Sequence, residues 1–482
     1  MNKLEKTSLS VIVPVYNERF LVAKSLNRLF VLDESPYLEK IQIIIVNDCS
    51  DDESPNIIKE FLNDFSQENE KFEWIFISHE KNLGKGKAIQ TALKEATCEI
   101  TIIHDADLEY NPKDILRMIP LFIEEEADAV FGSRFTVHEY RRVLMFRHEL
   151  GNRFLTFISN LISNLNLTDM ETCYKAVRTR LLKNIPIKSN DFRFEPELTI
   201  KLAKRNAKIF EIPINYSGRT YQEGKKINWI DGVKAMFAII KFGFSDDIFV
   251  EDEYGSRILA RLSKADKFNA WMAEILNPYI GQNVLEIGSG IGNITRQLIP
   301  RTKYVATDIN EYYLDITRKL MADKPYLRVE YLDINDVTEF VKNKAAFDTV
   351  ICLNVIEHLD DDLKAMRNIA YLMADNGRAV VLVPRGQWLF GSLDIVLGHK
   401  RRYSEQAIKN LSQSTSLKLE KIIPFNRISS IPWFINGRVF KKKTFGQFQI
   451  FFMNLLTPVF KLIDRFIPLP SLSYIAVFKK YN

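Results

Sequence analysis

The sequence predicts two α/β domains in tandem, and three observations carry that prediction. The chain has 482 residues, too many for one ordinary hydrophobic core. Runs rich in valine and isoleucine alternate with helical patterns through the first half: "LSVIVPVY", "KIQIIIVND", "FEWIFISH", "EITIIHDAD" and "ADAVFGSR". A second series begins at "QNVLEIGSG" and continues through "KYVATDIN", "LRVEYLDIN", "FDTVICLNV" and "GRAVVLVPR". Continuous apolar strands alternating with helices imply parallel sheets covered on both faces. The domains are expected over 1–248 and 256–482, joined where "FGFSDDIFVEDEYGSR" turns from a helical pattern into an acidic polar stretch.

Composition fits two packed domains. Hydrophobic residues make up 46% and charged residues 26%, which argues against disorder. A formal charge of +5 is small for this length and does not imply nucleic acid. Cys49, Cys98, Cys173 and Cys352 are scattered, with no CxxC pair, so neither a disulfide frame nor a zinc site is indicated and a reducing cytoplasm is expected. The amino terminus enters a strand directly and lacks the apolar region of a signal peptide. No apolar run reaches the roughly 18 residues that read as a membrane-spanning helix. "WIDGVKAMFAIIKFGF" (229–244) and "KKKTFGQFQIFFMNLLTPVFKLIDRFIPLP" (441–470) combine apolar faces with lysines, a pattern shared by helices packed on a core and helices lying on a membrane.

In the first series the strand ends carry the chemistry, because ligands of α/β sheets collect outside the carboxyl ends of the strands. Glu18 follows the first run, Asp48 the second, and Asp105 with Asp107 the run "ITIIH". In an extended chain Asp105 and Asp107 point to one side, and they repel unless a cation or proton intervenes. Mg²⁺ or Mn²⁺ bridging substrate phosphates is such a cation, with Glu109 as a possible third oxygen ligand. An isolated pair of this kind also serves as a solvated loop or a helix cap.

The ensemble "SVIVPVYNE", "IIIVNDCSDD", "NLGKGKAIQTAL", "HDADLEYNP" and "GSRF" resembles family 2 glycosyltransferases in order and spacing. The segments "RHELGNRFLTFISNLI", "LTDMETCYKAVR" and "FRFEPELTIKLAKRNAKIFEIPINYSGRTYQEGKKI" extend the likeness, within that family, to polyprenyl-phosphate sugar transferases of the dolichol-phosphate mannose synthase type, over roughly 8–240. The resemblance implies a GT-A-type fold and inverting transfer from a nucleotide sugar. It also implies that Pro14, Tyr16, Glu18, Asp48 and Lys85 line the nucleotide pocket. Asp105, Asp107 and Glu109 would hold the metal, and Arg134 and Arg147 the acceptor phosphate. Asn47 and Cys49 replace an aspartate and a glycine common in this turn, and Glu109 stands where glutamine is usual.

A phosphate monoester is ionised at neutral pH and needs no strong base, so positioning and charge stabilisation would carry the rate. A saccharide hydroxyl acceptor would need a carboxylate base, for which Asp169 and Glu171 are the candidates. The basic stretches 134–153 and 218–226 suit an anionic acceptor at a membrane surface, and equally a solvated face.

In the second series "NVLEIGSGIGNITRQL" reads as strand, glycine turn and helix, with Gly288, Gly290 and Gly292 spaced G-x-G-x-G, unlike the dinucleotide fingerprint. Asp308 ends the next strand, where a carboxylate can accept from ribose hydroxyls. The set resembles class I S-adenosylmethionine-dependent methyltransferases over roughly 256–482, a Rossmann-like fold. That resemblance puts Glu286, Asp308, Asp333 and Asn354 at the cofactor, with Glu357 and His358 near cofactor and acceptor. His358 and His399 are candidate bases for a hydroxyl acceptor. In this fold the last strands are antiparallel; "SLSYIAVFKK" reads as the final one, and a helical insertion near 430–470 precedes it. The expected protein is a bifunctional cytoplasmic enzyme, free or peripheral on the inner face of the plasma membrane, acting on polyprenyl phosphate or a lipid-linked glycan.

Overall fold

A computed structural model describes residues 5–65, 69–136, 142–143, 146–219, 229–245, 247–248, 250, 253–320, 323–338, 340, 344–413, 415–442 and 446–481. The chain forms two compact units, Met1–Val250 and Glu251–Asn482.

The first unit is built on seven strands: β1 (Thr7–Val15), β2 (Leu38–Asn47), β3 (Phe72–Ser78), β4 (Ile100–Ile103), β5 (Ala129–Ser133), β6 (Lys175–Arg178) and β7 (Ile209–Pro213). Their order in the sheet is β3-β2-β1-β4-β6-β5-β7. Both faces of β1, β2 and β4 are buried, which explains their unbroken apolar runs. The sheet is not purely parallel, as the alternation suggested: β6 runs antiparallel to both neighbours, β4 and β5. It has only four residues, Lys-Ala-Val-Arg, too short and too polar at its ends to announce a strand.

Three helices, Phe146–Ser163, Phe194–Lys204 and Trp229–Gly243, pack together beside this sheet. Leu155, Met170, Ile200, Ala235, Ala238, Ile239 and Phe242 form a small core between them. The outer sides of the first and third are apolar too: Phe146, Leu150, Phe154, Phe157, Leu161, Trp229 and Phe237 all stand in solvent. These helices therefore both pack inward and present an apolar face outward. The described residues contain no helix long and apolar enough to cross a membrane.

The second unit holds β8 (Asn283–Ile287), β9 (Lys303–Asp308), β10 (Leu327–Tyr331), β11 (Phe347–Leu353), β12 (Met373–Pro384), β13 (Leu417–Phe425) and β14 (Ser473–Lys480), in the order β10-β9-β8-β11-β12-β14-β13. Only β14 runs against the rest, pairing antiparallel with both β12 and β13. The helix expected after the glycine turn is a single turn, Thr295–Leu298, and Pro300 prevents its continuation. Between β13 and β14 lie the helix Ser430–Phe434, a π-helical turn Ile435–Val439 and the helix Gln447–Ile463. The last packs on the helix Asp266–Leu276, with Asn454 Oδ1 accepting the Lys267 N–H at 2.9 Å. Phe448, Phe451, Phe452, Leu455 and Leu462 on its other side are exposed.

Candidate functional sites

Pro14, Tyr16, Glu18, Asp48, Lys85, Asp105, Asp107, Glu109, Arg134 and Arg147 line one cavity of about 870 Å³ in the first unit. The fold gathers them because β1, β2, β4 and β5 end on the same side of the sheet, and β1, β2 and β4 are parallel neighbours.

Asp48 is tied down where β2 ends. Its carboxylate accepts the Leu83 N–H at 2.9 Å and the Gly84 N–H at 2.7 Å, and His79 Nδ1 lies 2.7 Å away. Gly84 has φ +92°, and a Cβ there would meet Asn190 O at 2.3 Å, so this close approach requires glycine. The next residue, Cys49, has φ +57°, a left-handed conformation that explains why a glycine would suit the turn.

Beyond β4 the chain alternates buried and cavity-facing side chains. His104 is buried between Tyr174 OH at 2.8 Å and Ser25 Oγ at 3.1 Å, and burial lowers its pKa to about 4, so it is neutral. Asp105 faces the cavity and meets Lys85 Nζ at 2.8 Å. Burial opposes the charge of both partners, but their attraction prevails: Asp105 is held below the usual carboxylate range and Lys85 well above its ordinary value. Asp107 is treated differently. Burial, then the charges of Asp105 and Glu109, raise it to about 7.

A residue the sequence did not single out closes this cluster. Arg219 Nη2 is 3.0 Å from Asp107 Oδ2, its Nε 3.2 Å from Glu109 Oε1, and its Nη1 3.7 Å from Glu18 Oε2. The Arg219 N–H and the Tyr216 hydroxyl also donate to Glu109, at 2.9 and 2.6 Å. Arg219 lies within the basic stretch 218–226, but no spacing rule links it to carboxylates more than a hundred residues away. Residues 220–226 of that stretch fall outside the described residues. Glu18, Asp105, Asp107 and Glu109 offer only oxygen ligands, and one of them is poised to lose a proton near neutral pH, so the set fits a hard divalent cation.

Arg134 is fixed rather than mobile. Its Nε and Nη2 donate to Asp169 at 2.6 and 2.8 Å, and its backbone N–H donates to the same carboxylate at 3.0 Å. Asp169 is fully buried and engaged by this fork, which leaves no free oxygen for the role of base suggested for it. Glu171 does line the cavity; burial raises its pKa to about 7, and its Oε1 has no hydrogen-bond partner. Arg147 sits in the first turn of the helix Phe146–Ser163.

In the second unit, Gly288, Gly290 and Gly292 have φ of +72°, +56° and +76°. The turn therefore uses glycine at all three positions for conformation, and a Cβ on Gly288 would also meet Val355 Cγ2 at 2.3 Å. Glu286 points beneath the turn: its Oε2 accepts from Thr295 Oγ1 at 2.5 Å and from Tyr304 OH at 2.9 Å, and burial raises its pKa to about 7. Asp308 accepts the Gly290 N–H at 2.8 Å and the Asn310 N–H at 2.9 Å. Asp333 turns its own loop through the Asn335 N–H, and Asn354 takes φ +55° at the end of β11. His358 and His399 come together edge to face, with ring centres 4.9 Å apart. Asp394 and Arg402, both missed in the sequence although they flank His399, form a buried pair at 2.7 Å, and Asp394 Oδ1 is 2.9 Å from His399 Nδ1.

Both halves of the chain are similar in sequence to known proteins. Residues 10–185 match the family model for glycosyl transferase family 2, and residues 285–379 match a methyltransferase domain. An uncharacterized protein of Methanocaldococcus jannaschii is 27% identical over 245 residues, covering 50% of this chain and 94% of its own length. A UDP-N-acetylglucosamine–dolichyl-phosphate N-acetylglucosaminyltransferase of Methanococcus voltae is 28% identical over 241 residues, 48% of this chain and 94% of its own. The structure of glucosyl-3-phosphoglycerate synthase from Mycobacterium tuberculosis with Mn²⁺, uridine diphosphate and glucosyl-3-phosphoglycerate superposes with a TM-score of 0.38 at 15% identity, over 49% of this chain and 80% of that one. The chain is an enzyme that carries a family 2 glycosyltransferase domain in its first half and a methyltransferase domain in its second.

Proposed function

We propose that the first unit transfers a sugar, with inversion, from a nucleoside diphosphate sugar to a polyprenyl phosphate, and that the second transfers a methyl group from S-adenosylmethionine. Both would serve lipid-linked or surface glycan assembly, with the protein peripheral on the inner face of the plasma membrane. One observation carries the acceptor: Phe154, Trp229 and Val233 line the charged cavity and at the same time stand in solvent on the apolar faces of two helices. A phosphate headgroup entering between arginines and carboxylates would thus keep its isoprenoid chain on an apolar surface. The Methanococcus voltae relative is named for transfer to dolichyl phosphate, which supports the same acceptor class.

In this reading Pro14, Tyr16, Glu18 and Asp48 hold the nucleoside. Asp105, Asp107 and Glu109 would hold Mg²⁺ or Mn²⁺, which would supply positive charge to the diphosphate leaving group. Arg219 supplies a positive charge beside Asp107 and Glu109, and Lys85 keeps Asp105 ionised. Arg134, aligned by Asp169, and Arg147 direct an ionised phosphate oxygen at the anomeric carbon. That oxygen forms the new bond as the sugar–diphosphate bond breaks, and no proton has to be removed. In the second unit the turn of Gly288, Gly290 and Gly292 leaves room for a cofactor to approach, and Ser289 Oγ is buried with no partner. Asp308 would accept the ribose hydroxyls, Asp333 and Asn354 would flank the rest of the cofactor, and Glu286 would brace the turn from beneath.

A second reading, transfer to a saccharide hydroxyl, is favoured by Glu171 alone, whose pKa of about 7 suits a general base. The test incubates the chain with Mn²⁺, radiolabelled nucleotide sugars and undecaprenyl phosphate in vesicles. Label in the organic phase is expected. Label confined to water-soluble saccharides would overturn the lipid acceptor and favour Glu171 as base.

A further inference from the structure

Glu357 is a problem the methyltransferase domain leaves unsolved. Its side chain is fully buried, yet neither carboxylate oxygen has a hydrogen-bond partner. The nearest cationic candidate, His399 Nε2, is 3.9 Å from Oε1, too far for a hydrogen bond. A buried carboxylate without donors is costly and is normally paired, protonated or bound to a metal.

Its surroundings are arranged around that gap. His358 follows it in sequence, and one ligand atom each from Glu357, His358 and His399 lies within 4.8 Å of the others. Ligands on one ion with bonds of about 2.0–2.2 Å are roughly 3–4 Å apart, so only small side-chain shifts separate the cluster from coordination. His399 is already oriented: Asp394 Oδ1 at 2.9 Å engages its Nδ1 and leaves Nε2 facing Glu357. Asp394 is itself held by Arg402 Nε at 2.7 Å and the Gly391 N–H at 2.9 Å. A carboxylate behind a histidine is the usual outer support of a metal-bound imidazole. The two strands of chain are stitched together, since the Lys400 N–H donates to Glu357 O at 2.9 Å and Arg401 Nη2 donates to Leu359 O and Asp360 O at 3.0 and 2.8 Å. Val355, two residues before Glu357, touches the glycine turn at Gly288, so the cluster adjoins the cofactor loop.

We propose that Glu357, His358 and His399 form a second, separate metal site, for a divalent transition ion, beside the methyl-donor pocket. Two imidazoles and a carboxylate select Mn²⁺, Fe²⁺, Co²⁺ or Zn²⁺ over Mg²⁺. Three protein ligands leave open positions, which suit the oxygens of a hydroxyl-bearing acceptor. His358 is then a ligand and not a base. The role given to the acceptor rests on the methyltransferase reading; the binding of the ion does not.

The test uses the full chain with Asp107→Ala, which weakens the all-oxygen site of the first unit, stripped with chelator and titrated with Mn²⁺ alone. Pulsed electron paramagnetic resonance is expected to show one bound ion with ¹⁴N modulation from imidazole. Glu357→Gln, close in shape and checked by its unfolding temperature, is expected to weaken that binding at least about tenfold, and His399→Ala to reduce the nitrogen modulation to that of one imidazole, His358. Absence of bound ion, an ion without nitrogen coupling, or binding indifferent to Glu357→Gln would each overturn the proposal. S-adenosylmethionine binding, followed separately by calorimetry, reports on the methyltransferase reading independently.

Discussion

The two units place acidic residues at the ends of comparable strands and use them in opposite ways. In the first, Glu18, Asp105, Asp107 and Glu109 converge on one cavity, where the side-chain charges of Lys85 and Arg219 offset them in part. In the second, Glu286 accepts from two hydroxyls and Asp308 from backbone N–H groups. The first arrangement suits a ligand that brings charge, such as a metal diphosphate. The second suits a neutral ribose and a fixed loop. The same residue type at the same topological place therefore says little until its partners are known.

The comparison breaks most visibly at the pair behind Arg134. Asp169→Ala leaves a guanidinium with little access to water and without its partner; the first unit is expected to lose about 3–5 kcal/mol, read from chemical denaturation, while the second unit's transition stays in place. A loss below about 1 kcal/mol would mean that water or another carboxylate replaces Asp169. Next, Asp107→Ala is expected to lower sugar transfer by about two to three orders of magnitude with binding of S-adenosylmethionine unchanged, measured by radiolabel transfer and calorimetry. Loss of both would show that the two sites are not independent.

The second unit is sharpened by pH. Burial raises Glu286 to about 7 from an ordinary 4.5, so the folded state binds a proton that the unfolded state has already released between those values. That contribution to stability is fully present below about 4.5 and is lost as pH rises to about 7. Glu286→Gln keeps an acceptor for Thr295 and Tyr304 and cannot ionise. Its stability relative to the parent is expected to rise across that window and then level off, followed by thermal unfolding at several pH values; a flat difference would refute the burial argument. The smallest effect is at Cys49, whose φ of +57° costs about 1–2 kcal/mol for a residue with a Cβ. Cys49→Gly is expected to raise stability by less than that, because glycine also adds freedom to the unfolded chain, and differential scanning calorimetry reads the change.

Long strands and their acidic ends were legible in the sequence, because burial on two faces imposes unbroken apolar runs on β1, β2 and β8 and the next residue must meet the ligand face. Four-residue β6 was not, since its pairing is decided by neighbours far along the chain. The gathering of Asp48 and Asp105 could be read from their places at strand ends, and that of Arg134 from the family resemblance. Arg219 over Asp107, Asp169 behind Arg134 and Asp394 behind His399 could not, because each is a tertiary contact whose donor and acceptor follow no local period. The turn of three glycines announced a close backbone approach, yet the helix beyond it proved to be one turn long.

Arg219 has one more consequence. A cluster of carboxylates that depended on a bound ion for neutrality would drive the loops apart whenever that ion departed. With a guanidinium built in as a resident counter-charge, the carboxylates are held together with no ion bound, and in the reading proposed above ion and nucleotide would be free to leave together as one product.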